Sequence, residues 1–396
     1  MKRIFGLVLG GALLLASGSM AQQPAAPQMP VFAVDASWPP ALPNNWVLTN
    51  VTKVSVDRHD NVYILHRPRQ TAAGRTPAPA VVVLDANGKF LRAWGGPGQG
   101  YDWPDAEHNI FVDHNDNVYI SGSSPSGGSV TQRSDDMILK FTAEGKFLRQ
   151  FGGRSVVTGS RDPKAANKPG DLWVHPKTNE LWVADGYGNR RVLVLDAETF
   201  AVKRMWAAFG NPPTDDPGSG GWGPSGGPGQ GQTKAKPDVE TVAEAQREGP
   251  GPDRYVGPVH AVLVSNDNIV YVADRGGKRV QLYTPEGKYL DQFFVNRDLP
   301  TAGSATGLAF SADPEQRFLY ISDFPNSRMI VVDRKSRTEL YQFGARDAAP
   351  GNFQGIHHIA VDSRGNLYTT EVAPGSRAQK FVFKGLSAEH PENAVR

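Results

Sequence analysis

The amino-acid sequence predicts an all-β protein, and more particularly a six-bladed β-propeller. The chain has 396 residues, of which 43 are glycine and 31 are proline. Both residues interrupt helices, so this composition favours many short strands joined by turns. A pattern of an apolar strand, a polar turn and a second strand with an aromatic residue recurs six times along the chain. Six units of ~40–50 residues, each with room for four strands, are typical of a six-bladed propeller.

The six copies share a turn rich in Asp, Asn, Ser or Gly, as a tight hairpin requires. They cover residues 54–67, 110–122, 172–187, 262–275, 308–323 and 359–372. Their aromatic anchors are Tyr63, Tyr119, Trp182, Tyr271, Tyr320 and Tyr368. Successive anchors are 48 to 63 residues apart, except for one gap of 89 that contains the Gly- and Pro-rich segment 210–252. We interpret that segment as an insertion loop. The rival fold, a pair of all-β sandwiches, gives no reason for a sixfold repeat.

The beginning of the chain has the features of a secretory signal peptide. Lys2 and Arg3 precede an apolar run over 4–16, and small residues follow up to Ala21. The run is shorter than the ~20 residues needed to span a bilayer. The sequence therefore predicts a signal peptide over 1–21, an N-terminal extension over 22–45, the propeller over 46–385 and a tail over 386–396. The mature protein is expected in the periplasm or outside the cell, with no membrane contact after cleavage.

Charge and cysteine content exclude several function classes. Lys and Arg number 42 and Asp and Glu number 40, so the net charge of +2 offers no electrostatic footprint for nucleic acid. The sequence has no cysteine. Disulfides, thiolate nucleophiles, iron–sulfur clusters and cysteine-type zinc fingers are therefore excluded.

Three histidines occupy one repeat position in alternate blades. His108, His260 and His357 each lie 11 residues before the aromatic anchor of their unit. Each also lies four residues before the last apolar residue of its innermost strand, and aligned on that strand the other three units hold Thr52, Gly170 and Thr306. Equivalent positions of a propeller surround the central channel, so the three imidazoles should converge on its axis. Three neutral imidazoles with an open position form a catalytic type of zinc site, and iron, copper or cobalt also accept such ligands. The alternative is that each is an ordinary polar residue of the channel.

Motifs around these histidines carry a family resemblance. They are VDRHDNVYILHR ending at Arg67, VADGYGNRR around Tyr187, PVHAVLV around His260, VADRGGKRVQ around Arg275 and GIHHIAVDSRGNLY around His357. In this order, and with His108, they resemble the catalytic core of peptidyl-α-hydroxyglycine α-amidating lyases, which are propellers with NHL-like blades. The resemblance covers most of the chain after residue 21.

The resemblance implies specific roles for these residues. It implies zinc bound by His108, His260 and His357. It implies Tyr187 and Arg67 as the catalytic pair and Arg275 as a further residue of the substrate site. It also implies a structural calcium, bound partly by the backbone carbonyls of Val54 and Ile110. This chain departs from the family pattern at the carboxylate ligand of that calcium, which is His358 here, and in lacking the family's disulfides.

The function implied is a metal-dependent lyase that splits a carbinolamide into an amide and glyoxylate. Its substrate would be a small molecule or peptide in the central channel. Two other functions stay open: a non-catalytic propeller that binds an unidentified protein partner, with a structural metal, and another metal-dependent enzyme such as a hydrolase or lactonase. The sequence thus favours an enzyme without deciding it.

Overall fold

Six four-stranded antiparallel sheets form the protein, which confirms the predicted six-bladed β-propeller. The structure is a computed structural model that describes residues 28–69, 74–125, 131–215 and 249–395. The signal peptide expected over 1–21 and most of the expected insertion, 216–248, lie outside the described residues. Within those ranges, no helix has the length and apolar character needed to cross a membrane.

Each blade contributes four neighbouring strands, and the first strands of adjacent blades contact one another around the channel. Blade 1 consists of Val51–Val56, Val62–His66, Val81–Leu84 and Phe90–Trp94, and blade 2 of Glu107–Val112, Val118–Gly122, Asp135–Phe141 and Phe147–Arg154. Blade 3 consists of Asp171–His175, Glu180–Asp185, Arg191–Asp196 and Val202–Trp206, and blade 4 of Val259–Val264, Val270–Asp274, Arg279–Tyr283 and Tyr289–Phe294. Blade 5 consists of Gly307–Phe310, Phe318–Asp323, Arg328–Asp333 and Thr338–Phe343, and blade 6 of Ile356–Val361, Leu367–Glu371, Arg377–Ser387 and Met29–Asp35.

The two ends of the described chain meet in blade 6. Met29–Asp35, within the segment expected to precede the propeller, pairs antiparallel with Arg377–Ser387 as the outermost strand of that blade. These backbone hydrogen bonds close the ring and give the last blade its fourth strand. Close to this junction, Ala394 of the expected tail bridges to Phe343 of blade 5.

Short elements complete the described architecture. A small parallel sheet joins Trp46–Val47 to Thr76–Pro77. Two 3₁₀ turns lie at Pro43–Asn45 and Ala208–Gly210.

Aspartates fix the first hairpin of several blades. In blade 1, Asp57 Oδ1 accepts the backbone N–H groups of His59 and Asn61, both at 2.8 Å. Asp113 makes the same pair of bonds in blade 2, and Asp362 makes them in blade 6. A carboxylate that holds its own turn in this way is the reason why Asp recurs at these repeat positions.

The core of the described residues is divided into six apolar clusters, one at each junction between adjacent blades. At the junction of blades 5 and 6, the ring of Phe32 packs edge-on against Tyr320, with 5.6 Å between centroids, and near Phe343 at 6.3 Å. The strand that closes the ring thus also contributes to the core.

We predict that Phe32→Ala destabilises the whole propeller. Phe32 is buried, and truncating a buried Phe typically costs about 3–5 kcal/mol through lost contacts and the cavity that remains. The midpoint of urea unfolding should fall clearly. Ala33→Ser, on the exposed face of the same strand, is the control and should leave the midpoint close to that of the wild type. Equal midpoints for the two variants would show that this strand does not contribute to ring stability.

Candidate metal centre in the propeller channel

A β-bulge places each of the three repeat-related histidines in the channel. The register between first and second strands shifts across His108 in blade 2 and across His260 in blade 4. In blade 6 the shift falls between Ile356 and Ile359, across His357. A bulge redirects side chains and is frequent next to functional sites. The structure therefore brings the three histidines together from three blades.

The channel cluster contains four histidines, because His358 joins the three others. One ring nitrogen of each of His108, His260, His357 and His358 lies within 4.8 Å of the corresponding nitrogens of the other three. All four side chains are buried, with exposed fractions of 4% or less. The sequence did not predict that His358 belongs to this cluster, because strict alternation along a strand would point its side chain away from the channel.

Backbone carbonyls of the following blade orient two of the rings. His260 Nδ1 lies 2.8 Å from the carbonyl oxygen of Thr306 in blade 5. His357 Nδ1 lies 2.6 Å from the carbonyl oxygen of Thr52 in blade 1. A carbonyl can only accept, so both Nδ1 atoms carry the proton and both Nε2 atoms are left with a lone pair. Metal-binding histidines are commonly held by such bonds.

In blade 3 the position equivalent to the histidines is Gly170, and the neighbouring backbone leaves no room for a side chain there. A Cβ on Gly170 would lie 2.4 Å from the carbonyl oxygen of Val259 and 2.9 Å from His260 Cα. Any side chain there would collide with the strand that positions His260.

Burial keeps the four imidazoles neutral. The pKa of His357 falls to about 3, mainly because burial disfavours the charged ring. The pKa values of His108, His260 and His358 are held well below the usual range by burial and by neighbouring positive charge. Neutral imidazole is the form that binds a metal ion.

Tyr187 lies directly against the cluster. Its hydroxyl oxygen is 3.1 Å from His108 Nε2 and 2.9 Å from His260 Nε2. Burial raises the pKa of Tyr187, while the charges of Arg275 and Arg67 and a hydrogen bond to Arg275 oppose that rise.

A structured loop positions Tyr187. Asp185 accepts the backbone N–H of Asn167 at 2.7 Å and pairs with Arg191 at 2.8 Å, entirely buried. A Cβ on Gly186 would lie 2.1 Å from the backbone of Val259, so only glycine allows the loop to pack this closely on blade 4. Asp185 is therefore a structural cap of the loop that carries Tyr187.

Two buried arginines share this end of the channel. Arg67 Nε donates to the carbonyl oxygen of Glu107 at 2.9 Å, and its terminal NH₂ group donates to Ser123 Oγ at 3.2 Å. Arg275 lies over the ring of Phe324, 4.8 Å from its centroid. Arg67, Tyr187 and Arg275 all follow second strands, which end where the first strands begin. The structure therefore brings the three residues to one mouth of the channel, above the histidines.

The next layer of the channel contains a buried ion pair. Lys53 Nζ bonds to Asp171 Oδ1, and both side chains are less than 10% exposed. These two residues and His358 line a cavity of about 230 Å³, together with apolar side chains that include Phe111 and Trp173. Sequence reasoning did not find this pair, because 118 residues separate its members.

The donors fit a zinc ion or a similar divalent metal. Two buried ring nitrogens of the cluster, His108 Nδ1 and His358 Nε2, have no hydrogen-bond partner among the described residues. The other two imidazoles, His260 and His357, are oriented by backbone carbonyls. Nitrogen ligands of this kind suit zinc, copper, iron and cobalt.

The residues present do not fit the calcium that the family resemblance implies. Val54 and Ile110 lie on first strands, as expected, but calcium prefers several oxygen ligands, including carboxylates. The carboxylate position is a histidine, and the nearby Asp171 is occupied by the Lys53 ammonium. We derive no role for calcium here.

The fold and the site define a six-bladed propeller with a buried histidine cluster in its channel. The chain is a distant homologue of two groups of proteins. It is 25% identical to mouse NHL repeat-containing protein 3 over 368 residues, which cover 89% of this chain and 84% of the mouse protein. The human protein of that name is 23% identical over 314 residues, which cover 77% of this chain and 73% of the human protein.

The second group contains a probable peptidyl-alpha-hydroxyglycine alpha-amidating lyase of Caenorhabditis elegans. It is 21% identical over 272 residues, which cover 67% of this chain and 61% of the worm protein. A superposition on the solved structure of streptogramin B lyase covers 89% of this chain and 98% of the lyase chain, with a TM-score of 0.49 and 10% identity. No protein-family model matches the chain.

We predict that Lys53→Met destabilises the protein by about 3–5 kcal/mol, because it leaves the Asp171 carboxylate buried without its ammonium partner. The double variant Lys53→Met/Asp171→Asn removes both charges and should recover most of that loss. Urea unfolding at pH 7 measures both variants. A single variant as stable as the wild type would mean that the ion pair does not support the channel.

Proposed function

We propose that this protein is a metal-dependent lyase that cleaves a carbinolamide, N–CH(OH)–COO⁻, into an amide and a glyoxylate-type aldehyde. One observation supports this most: the histidine cluster, Tyr187, Arg67 and Arg275 meet at one end of the channel. The distant similarity to a probable amidating lyase agrees with it. The signal peptide expected over 1–21 would place the activity in the periplasm or outside the cell.

The arginines suit the anionic end of such a substrate. Arg67 and Arg275 are both buried, and both act electrostatically on Tyr187. A guanidinium group can bind a carboxylate in bidentate fashion, and the interaction is stronger away from water. We propose that one of the two arginines binds the substrate carboxylate and that the other stays beside Tyr187.

Tyr187 is suited to take a proton. In the reaction the hydroxyl loses its proton, the carbon–nitrogen bond breaks with its electron pair going to nitrogen, and nitrogen gains a proton. A bound divalent metal supplies Lewis acidity that lowers the pKa of the hydroxyl. Burial alone favours the neutral phenol of Tyr187, whereas adjacent positive charge favours the phenolate that acts as base.

A non-catalytic binding propeller is the second candidate. Two of the relatives are named only for their NHL repeats, and one of them covers 89% of this chain. In that case the metal would stabilise the channel and a partner would bind the propeller surface.

We predict that the purified protein contains about one divalent metal ion per chain, bound by the histidines. His108→Ala/His260→Ala should remove the metal almost completely, because two of its imidazole ligands are lost. Elemental analysis after dialysis measures the content, and His175→Gln, a buried histidine outside the cluster, is the control. Equal metal in the wild type and the double variant would contradict the site.

We predict that Tyr187→Phe and Arg67→Ala each abolish glyoxylate release from an N-acyl-α-hydroxyglycine while the metal stays bound. Tyr187→Phe removes only the hydroxyl that lies against the cluster. Tyr63→Phe is the matched control, because the Tyr63 hydroxyl is buried and bonds to Arg92 instead.

Arg67→Lys separates charge from geometry in the same assay. It keeps the positive charge but loses the planar group that donates to Glu107 and Ser123, so we expect partial activity at most. Full activity in both Tyr187→Phe and Arg67→Ala would refute the proposed pair. A metal-loaded wild type that releases no glyoxylate would favour the binding propeller.

A further inference from the structure

We propose that His358 is a fourth metal ligand, so that four imidazoles bind the ion rather than three. This inference rests on the metal site of the proposed function and defines its coordination. It concerns a residue at which the chain departs from the family that it resembles.

The four rings are arranged almost as a regular tetrahedron. The ring centroid of His358 is 5.7 Å from that of His108, 4.9 Å from His260 and 4.6 Å from His357. The other three pairs among the four histidines are 4.9 to 5.3 Å apart. Four points at nearly equal mutual distances form a tetrahedron, which is the arrangement that zinc prefers with four ligands.

The dimensions also suit a metal ion. A Zn–N bond of about 2.0–2.1 Å places the imidazole centroids of a tetrahedral site roughly 5 Å apart. The observed centroid distances of 4.6 to 5.7 Å bracket this value. The nitrogens of a tetrahedral zinc site are roughly 3.3 Å apart. The ring nitrogens here lie within 4.8 Å of one another, so metal binding needs them to approach one another by up to about 1.5 Å.

His358 has no competing partner for its ring nitrogen among the described residues. His358 Nε2 is buried and makes no hydrogen bond there. The nearby carboxylate, Asp171, is already bonded to Lys53 and to the backbone N–H of Leu172 at 2.8 Å. An unpartnered buried polar atom needs an explanation, and a metal ion supplies one.

The backbone of His358 is held firmly in place. Thr370 Oγ1 accepts the His358 N–H at 3.1 Å and donates to the His358 carbonyl at 3.1 Å. This clamp and the bulge at His357 point two consecutive side chains into the channel.

His358 reaches the cluster from the side opposite to Tyr187. The Tyr187 ring contacts the rings of His108 and His260, at 4.9 and 5.4 Å between centroids. His358 instead lines the cavity that contains Lys53 and Asp171. Zinc sites can expand to five ligands, so a substrate oxygen could still approach from the Tyr187 side.

X-ray absorption spectroscopy of the zinc-loaded wild type tests the proposal without any substitution. We expect four imidazole ligands, and three would overturn the proposal. The His358→Ala variant should show three imidazoles. Its zinc dissociation constant, measured by competition with a chelator, should rise by about 100-fold or more. By comparison, loss of a residue that only hydrogen-bonds to a metal ligand weakens the metal affinity by roughly 10–100-fold.

His175→Gln is the matched control and should bind zinc like the wild type. An unchanged affinity in His358→Ala would overturn the fourth ligand. A wild type that binds zinc through three imidazoles and releases glyoxylate would also overturn the fourth ligand, while supporting the lyase. Four imidazoles without glyoxylate release would support the fourth ligand while refuting the lyase.

Discussion

Closure of the propeller ring is the constraint on which the rest of the structure depends. The ring closes through backbone hydrogen bonds between Met29–Asp35 and Arg377–Ser387, since the sequence has no cysteine for a covalent link. The site depends on the same closure. His357 belongs to the last blade, and the carbonyl that orients its ring comes from Thr52 of the first blade. Loosening the junction would therefore disturb the histidine cluster as well as the core around Phe32.

A repeated irregularity turns this closed ring into a candidate active site. Each histidine-bearing blade has a bulge near the start of its first strand, and the bulge directs the imidazole into the channel. The loops that follow the second strands return to the same end, which brings Tyr187 and the arginines above the histidines. The candidate site thus combines two recurring positions of one repeat: a strand position that holds the histidines and a loop position that holds Tyr187, Arg67 and Arg275.

Electrostatics divides the channel into two sides. On the mouth side, the positive charges of Arg67 and Arg275 act on the partly buried Tyr187. On the other side, Lys53 and Asp171 neutralise each other in the wall of a cavity of about 230 Å³. Between them, burial keeps four imidazoles uncharged and ready to bind a cation. Val54 and His358, two of the positions that the resemblance assigns to calcium, line the same cavity as this ion pair.

The sequence by itself determined the six repeated units and the alternate-blade spacing of His108, His260 and His357. Both are visible because a repeat makes equivalent positions comparable along one chain. The motifs around Tyr187, Arg67 and Arg275 could also be read directly. Only the tertiary structure decided that His358 faces its three counterparts, that Lys53 meets Asp171, and that Met29–Asp35 belongs to the last blade. The physical reason is that a bulge breaks the alternation on which sequence patterns rely, while the pairing of distant strands depends on ring closure and leaves no local signal.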